Sequence, residues 1–183
     1  MSDAEKIVVE LLKEPEPTSG VYLAAADVAM STGHSLEDVG KLALRVLSSP
    51  YAANSHVHRK IALLLLPRWH GKPGTTESYL ANVAEQLGGD VGNAVYASTV
   101  LGLSVVSSGR NPVTADLELD WDRLQAGAKA FSKTRDDPEV SDLTIGLMVL
   151  QNQWDRVEDL LRFRGAERIP PGSKNSASVR SVI

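Results

Sequence analysis

The sequence predicts an all-α protein of about eight or nine helices, in which antiparallel helical hairpins stack as a degenerate repeat or α-solenoid. Three observations predict this class. The 183 residues are 43% hydrophobic but only 5% aromatic, and the apolar residues are mainly Leu, Val and Ala, a mixture that favours helices. Apolar side chains recur at helical spacing between capping residues and Gly or Pro. A Trp-headed pattern occurs twice, about 33 residues apart.

The first two helices are predicted from their boundaries. Ser2 and Glu5 have the spacing of a capping box, and the helix after them runs to about Lys13. Glu14-Pro15-Glu16-Pro17 then stops it, because proline cannot continue a helix. A short second helix covers Val21 to Met30. Its predicted inward side consists of Val21, Ala25, Val28 and Ala29.

The third and fourth helices follow from the same signals. Ser35 is predicted to cap the third helix, with Asp38 at the reciprocal position. The apolar stripe of this helix consists of Leu36, Val39, Ala43 and Val46. Asn54 or Ser55 starts the fourth helix, and its end, residues 61–66, is apolar all round and therefore predicted to be central. A β-strand is the competing interpretation of that short run.

A cluster of helix breakers from Pro67 to Gly74 precedes a fifth helix, which Thr75 opens. Its predicted inward residues are Tyr79, Leu80, Val83, Ala84 and Leu87. Gly88-Gly89 ends it, and Asp90 is predicted to cap a sixth, central helix. Small residues that would let another backbone approach are Ala94, Ala97, Ser98 and Gly102, and bulk comes from Val95, Leu101 and Val105.

The last three helices follow a long connection, residues 107–119. Asp120 is predicted to cap the seventh helix, whose buried seam consists of Trp121, Leu124, Ala128 and Phe131. Asp137-Pro138 starts the eighth, since proline at the first helical position costs no hydrogen bond. Its lining residues are Val140, Leu143 and Leu147. The ninth helix runs from Trp154 to Gly165. Its predicted features are Val157 and Leu161 inward and Arg162 and Arg164 in the final turn.

An internal repeat is indicated by two near copies, Trp121-Asp122-Arg123-Leu124 and Trp154-Asp155-Arg156-Val157. Their spacing is close to the roughly 34 residues of a helix-turn-helix repeat, although two Trp-headed helices can also coincide by chance. With Leu66 to Gly71, Leu-Pro-Arg-Trp-His-Gly, these segments resemble a group of bacterial tetratricopeptide-like (TPR-like) helical-repeat proteins. The resemblance spans Leu36 to Phe163 and implies only a degenerate helical repeat, since the group has no activity that could be carried over to this chain.

Composition narrows the function classes. A net charge of -4 and a pI near 5.6 argue against nucleic-acid binding, which normally uses a strongly basic face. The absence of cysteine excludes thiolate chemistry and, with no signal peptide visible at the start, favours a cytoplasmic protein. The most apolar stretch, Val91 to Val106, is shorter than the roughly 20 residues that span a bilayer. A buried helix is therefore expected there.

No constellation for catalysis, metal or cofactor binding is visible. His56 and His58 are two residues apart and point to different sides of a helix, so they are predicted to be a surface pair that cannot share a metal. His34 and His70 have no carboxylate or second histidine at ligand spacing. The glycine-rich segment 88–92 lacks the Lys-Ser/Thr of a phosphate loop. We therefore expect no cofactor and no enzyme activity.

Two surfaces are candidates for partner binding. The first is the turn after the fourth helix, with the candidate residues Arg68, Trp69, His70 and Lys72. Trp69 is either a wedge between helix ends or an exposed anchor, since Trp and Arg dominate interface energetics. The second consists of Asp116 and Glu118, which begin an acidic alternation before the seventh helix. Carboxylates are stabilised at a helix N-terminus, and a basic partner could bind them.

The preferred functional hypothesis is a non-enzymatic protein–protein interaction or scaffold module that offers a groove of stacked helices to a protein or peptide. The alternative is a helical enzyme or small-ligand-binding protein with a site between helices, near His70, Tyr79 or Tyr96. A third hypothesis is a homo-oligomer or a subunit of a larger assembly. In that case residues 166–183, a basic tail after a single domain at 1–165, would wrap a neighbour.

Overall fold

The computed structural model describes residues 2–69, 71–108, 111–112, 114, 117–135 and 138–163, without the side chains of 107–112 and 132–141. Nine helices form within these ranges: α1 (Asp3–Leu12), α2 (Ser19–Thr32), α3 (Leu36–Leu47), α4 (Ser55–Leu64), α5 (Thr75–Leu87), α6 (Gly89–Ser104), α7 (Trp121–Arg135), α8 (Pro138–Leu150) and α9 (Trp154–Phe163). In the connection after α6, β1 (Ser107–Ser108) pairs antiparallel with β2 (Asn111–Pro112). The predicted helical class and helix number are thus confirmed.

Local capping explains why the helix starts were predictable. Ser2 Oγ accepts the Glu5 backbone N–H at 3.2 Å, and the Glu5 carboxylate accepts the Ser2 N–H at 3.1 Å, which completes a capping box. Ser35 Oγ caps α3 by accepting the Asp38 N–H at 3.2 Å. Asp120 caps α7 in the same way. These side chains satisfy N–H groups that the first helical turn leaves unpaired.

Several predicted boundaries are wrong. Asp90 does not cap α6, because Gly88 takes the left-handed φ of 67° and lets α6 begin at Gly89 directly after α5. The second helix extends beyond the predicted range at both ends, to Ser19 and Thr32. The strand alternative for residues 61–66 fails, since α4 continues to Leu64. The predicted end of α9 at Gly165 and the tail after it lie outside the described residues.

Three residues predicted to face inward are exposed. Leu36 shares a helical face with the buried Val39 and Ala43 but is the first residue of α3, where the helix end leaves it exposed. Val105 follows the last turn of α6 and is turned outward. Leu143 is exposed, although Leu147, one turn later on the same side of α8, is buried. Each departure reflects the position of neighbouring helices, which the apolar spacing alone does not specify.

Several helices that are two apart in sequence are in contact: α2 with α4, α4 with α6, α6 with α8 and α7 with α9. The bonds between α7 and α9 include two that span 30 and 31 residues. Three of the bonds that join helices two apart in sequence span 33 or 34 residues. They are Arg45 to the Leu12 carbonyl (α1 and α3, 33 residues), Lys60 to Asp27 (α2 and α4, 33 residues) and Arg156 to Asp122 (α7 and α9, 34 residues). The spacing of the two Trp-headed segments is therefore also the spacing of contacts in the first four helices.

The spacing widens in the middle of the chain. Ser98 Oγ donates to Ser55 Oγ at 3.0 Å, which joins α4 and α6 across 43 residues. Arg123 of α7 donates to the Ala81 carbonyl of α5 across 42 residues. The additional residues lie in the long connections 65–74 and 105–120.

Two hydrophobic clusters form the core, one built by α1 to α4 and the other by α4 to α9, and Tyr79 packs against both. The predicted central position of α6 is confirmed, since it contacts α4, α5, α7 and α8. The backbone of α6 lies close to two neighbouring helices: Gly92 of α6 lies against Ala84 of α5, and Asn93 of α6 lies against Gly127 of α7. Gly102, which was predicted to let another backbone approach, faces the side chain of Arg59 instead.

Among the described helices, none combines the length and apolarity that crossing a bilayer requires.

Candidate functional site

The connection between α4 and α5 is a tightly bonded turn. Leu65 and Leu66 are buried at its start. The Leu66 carbonyl accepts two backbone N–H groups, from Trp69 at 2.9 Å and from Gly71 at 3.2 Å. At its other end the Lys72 N–H donates to Thr75 Oγ1 at 3.1 Å. The turn is therefore fixed by backbone bonds on both sides of its exposed residues.

Gly71 is required by the close approach of the turn to α4. A Cβ built at Gly71 would lie 1.6 Å from the Leu65 carbonyl oxygen and 2.4 Å from its carbon. No side chain fits at that distance, so any other residue would displace the turn. The position of Trp69, two residues earlier, depends on this contact.

Trp69 is exposed. Its relative accessibility is 46%, and it belongs to neither core cluster. Arg68 and Lys72 on either side are exposed as well. Of the two interpretations of Trp69, this burial favours the exposed anchor over the wedge between helix ends. His70, the fourth candidate of this turn, lies outside the described residues.

Arg68 and Lys72 differ from the other cations of the described structure. Each other Lys or Arg whose side chain is described bonds to a carboxylate, a backbone carbonyl or a histidine ring. Neither Arg68 nor Lys72 has an ion pair or a side-chain hydrogen bond with the residues that the structure describes. The turn thus presents an indole and two cations whose hydrogen-bonding capacity is unused.

The acidic candidates divide into structural and exposed groups. Asp120 caps α7, and Asp122 pairs with Arg156. Glu118 is exposed, and its backbone N–H donates to Glu77 Oε1 at 3.4 Å. This bond places Glu118 beside the first turn of α5, which begins three residues after Lys72. Asp116 lies outside the described residues.

The prediction that His58 lies on the surface is wrong, because its side chain is fully buried. Its Nε2 is 2.7 Å from the Ala52 carbonyl and its Nδ1 is 2.6 Å from the Tyr79 hydroxyl. A carbonyl can only accept, so Nε2 carries the proton and Tyr79 donates to Nδ1. Burial lowers the pKa of His58 and raises the pKa of Tyr79, so both are neutral.

A sequence signal for the burial of His58 was available. His58 shares a helical face with Ile61, Ala62 and Leu65, at spacings of three, four and seven, and all three are buried. His56, two residues earlier, lies on the exposed side as predicted. The His58 ring joins the connection before α4 to α5, which is a structural role.

The other tyrosine considered for a site between helices, Tyr96, and the remaining described histidine, His34, also have polar partners within the fold. The Tyr96 hydroxyl accepts the Asp120 backbone N–H at 2.8 Å, and burial raises the pKa of Tyr96 to about 12. His34 was predicted to lack carboxylate neighbours, which is wrong. Its ring lies 3.8 Å from Asp38, four residues later in the chain, and 3.4 Å from Glu5, because the turn after α2 lies next to α1. The described residues contain no cluster of three side chains placed to hold a metal ion.

Comparisons with protein-family models, with curated proteins and with solved structures found no match to this chain.

Proposed function

We propose that this chain is a non-enzymatic interaction module, whose helices form a degenerate TPR-like stack and whose turn between α4 and α5 binds a protein or peptide. The contacts of α2 with α4, α4 with α6, α6 with α8 and α7 with α9 support such a stack. So do three bonds that span 33 or 34 residues, close to the roughly 34 of a helix-turn-helix repeat. A solenoid of this kind offers an extended surface to partners.

The observation that carries the proposal is the exposed Trp69 on a backbone-fixed turn, between two cations without described partners. Trp and Arg are the residues that most often dominate binding energy at interfaces. A turn that is already ordered loses little conformational entropy on binding, so more of the contact energy appears as affinity.

The charges define the chemistry of the partner. Arg68 and Lys72 would attract carboxylates, and Trp69 offers an apolar face between them. The partner that fits is an acidic segment bearing an aromatic or aliphatic side chain. Arg68 can bind one carboxylate with two parallel hydrogen bonds, whereas Lys72 acts as a point charge.

A site between helices is the less favoured alternative. The groups that would supply it, His58, Tyr79 and Tyr96, are engaged in hydrogen bonds within the fold. Using them chemically would require breaking contacts that hold α4, α5 and α7 in place.

The test is selection of a random displayed peptide library against the full chain, followed by affinity measurement with fluorescent versions of the enriched peptides. We expect enrichment of Asp or Glu next to an apolar residue. Trp69→Ala should weaken binding by roughly 30-fold, the effect of losing about 2 kcal/mol at an interface hot spot. Arg68→Ala or Lys72→Ala should weaken it less and reduce its dependence on salt.

Leu44→Ala is the control, because Leu44 is an exposed apolar residue of α3, outside the turn. It should leave peptide affinity unchanged. Binding that Trp69→Ala and Leu44→Ala affect equally would refute a role for this turn. So would a selection that enriches no common sequence.

A further inference from the structure

A hydrogen bond between two side chains joins the helices on either side of the turn that carries Trp69. Nδ1 of His58 in α4 lies 2.6 Å from the hydroxyl of Tyr79 in α5. Among the described residues, one other side-chain bond joins these two helices, from Thr76 Oγ1 to the Ala62 carbonyl at the longer distance of 3.4 Å. The separation of α4 and α5, and with it the path of the turn between them, therefore depends on the His58–Tyr79 bond.

Each of these two helices also has contacts that do not involve the other. α4 is bonded to α2, because Lys60 donates to Asp27. The backbone of α5 lies against α6, where Ala84 approaches Gly92. Loss of the side-chain bond between α4 and α5 would thus loosen the turn that connects them, while both helices stay packed on the rest of the fold.

The bond between His58 and Tyr79 requires a neutral imidazole. Nε2 of His58 donates to the Ala52 carbonyl at 2.7 Å, which leaves Nδ1 as the acceptor for the Tyr79 hydroxyl. Protonation of Nδ1 turns this atom into a donor. The Tyr79 hydroxyl must then rotate to accept, and its proton loses the one acceptor that the described residues provide. Protonation of His58 thus replaces a good bond by a buried donor without a partner, which is unfavourable.

Among the described residues, no carboxylate compensates a proton on His58. α4 packs against α2, α3, α5 and α6, and the titratable group that faces the ring from them is Tyr79. α6 has one charged residue, Asp90 in its first turn, whereas α4 contacts its later part at Ser98. The charged side chains of the other three helices bond to other groups: Asp27 to Lys60, Lys41 to Glu37 and Asp38, Arg45 to the Leu12 carbonyl, Glu77 to the Glu118 N–H and Glu85 to Arg123. A proton on His58 is therefore opposed by burial alone and is not stabilised by a neighbouring charge.

We propose that the His58–Tyr79 bond positions the Trp69 turn and that protonation of His58 releases it. With a neutral imidazole, α4 and α5 hold the turn in the conformation that presents Trp69. With a protonated imidazole, α5 separates from α4, and the bonds that close the turn, from the Trp69 and Gly71 N–H groups to the Leu66 carbonyl, open more often. The consequence for binding rests on the proposed function: peptide affinity at the turn falls at acidic pH.

The experiment is amide hydrogen exchange of the full chain, followed by NMR between about pH 7.5 and about pH 5.5. Protection is expressed relative to an unstructured peptide at the same pH, which removes the intrinsic pH dependence of exchange. Protection of the Trp69 and Gly71 amides should fall roughly fivefold across this range, the effect of losing one hydrogen bond. The midpoint of this fall should match the midpoint of the His58 imidazole titration. The Val157 amide of α9, which bonds within its own helix, should keep its protection.

His58→Gln is the matched neutral variant, because its amide can donate to the Ala52 carbonyl and accept from Tyr79 without titrating. It should keep the protection of the two turn amides constant with pH. His56→Gln and His70→Gln, which remove the other histidines of α4 and of the turn, should keep the wild-type profile. Tyr79→Phe serves if His58→Gln does not fold. It should lower the protection of the two turn amides already at about pH 7.5 and remove most of its pH dependence.

Constant protection of the turn amides in wild type overturns the proposal. So does a wild-type profile in His58→Gln or in Tyr79→Phe, or a profile that His70→Gln abolishes, which assigns the effect to the turn's own histidine. An equal loss at Val157 also overturns it, since the whole chain then unfolds. These measurements need no peptide, so release of the turn in a chain that binds no peptide supports this proposal and refutes only the proposed function.

Discussion

Gly127→Ala tests the packing of α6 against α7. A Cβ at Gly127 would lie 2.0 Å from the Asn93 carbonyl oxygen and 2.6 Å from the Ala97 Cβ. Backbone cannot give way as a flexible side chain can, so the two helices must separate until the methyl group reaches ordinary contact. Gly40 of α3 is the matched control, because a Cβ there meets nothing within 4 Å.

The two substitutions should act with opposite signs. Replacing a glycine inside a helix by alanine stabilises by roughly 0.5–1 kcal/mol when the methyl group fits. Gly40→Ala should show this gain in full. At Gly127 the same gain is opposed by an overpacking cost of roughly 1–3 kcal/mol. The net effect is a loss of about 1–2 kcal/mol, since the obstacle is a carbonyl of the neighbouring helix.

Urea unfolding followed by circular dichroism measures both changes. For a domain of this size, about 1 kcal/mol corresponds to roughly 2–4 °C in melting temperature, so thermal melts should place the variants on opposite sides of wild type. A stabilised Gly127→Ala would refute the close helix contact. A Gly40→Ala variant destabilised as much as Gly127→Ala would show that glycine is needed for another reason.

Two further predictions concern polar groups within the fold. Burial holds the pKa of His58 below 6.5, so the imidazole binds a proton more readily in the unfolded chain than in the folded one. The stability that the neutral His58 contributes is therefore complete above pH 6.5 and is lost as the pH falls below that value. Between about pH 8 and about pH 5, the urea midpoint of wild type and of the exposed control His56→Gln should decline more steeply than that of His58→Gln. Parallel declines in all three proteins would contradict the role of His58 in this pH dependence. Asp120→Ala should cost about 1 kcal/mol through loss of the α7 cap, whereas Asp120→Asn keeps an acceptor and most of the stability. Equal losses in the two variants, measured by the same unfolding assay, would exclude capping as the cause.

The predictions that succeeded depend on a few adjacent residues. Ser2, Ser35 and Asp120 mark helix starts because a cap needs only a side-chain acceptor and an N–H two or three positions later. Asp90 has the same local pattern but does not cap. There the outcome depended on the positive φ of Gly88, which joins two helices without a spacer. Capping rules identify candidate starts, and the neighbouring backbone decides between them.

Burial was less predictable because it depends on which helices meet. His58 was assigned to the surface by residue type, although its helical face also carries Ile61 and Leu65. Leu143 was assigned to the core by its spacing with Leu147, yet Leu143 is exposed and Leu147 is buried. The spacing of apolar residues defines a face, but it does not state whether a second element covers that face.

The candidate site was also predictable in its local sequence features but not in its burial. A cluster of Pro and Gly predicted the turn that contains Trp69, and its residue types indicated an interface. Whether Trp69 was a wedge or an anchor depended on its burial, which only the three-dimensional arrangement provides. The sequence likewise does not show that Arg68 and Lys72 lack described partners, because the pairing of charged side chains depends on which helices lie next to each other.

The short range of the contacts between helices has a consequence for how the chain folds. The hydrogen bonds described between helices join residues no more than 43 positions apart. Closing such loops costs little entropy, and chains dominated by local contacts fold quickly. No described hydrogen bond or ion pair ties the first helices to the last ones. The two ends can therefore open independently, and amide hydrogen exchange should be fastest in α1 and α9 and slowest in α6, which is packed among four neighbours.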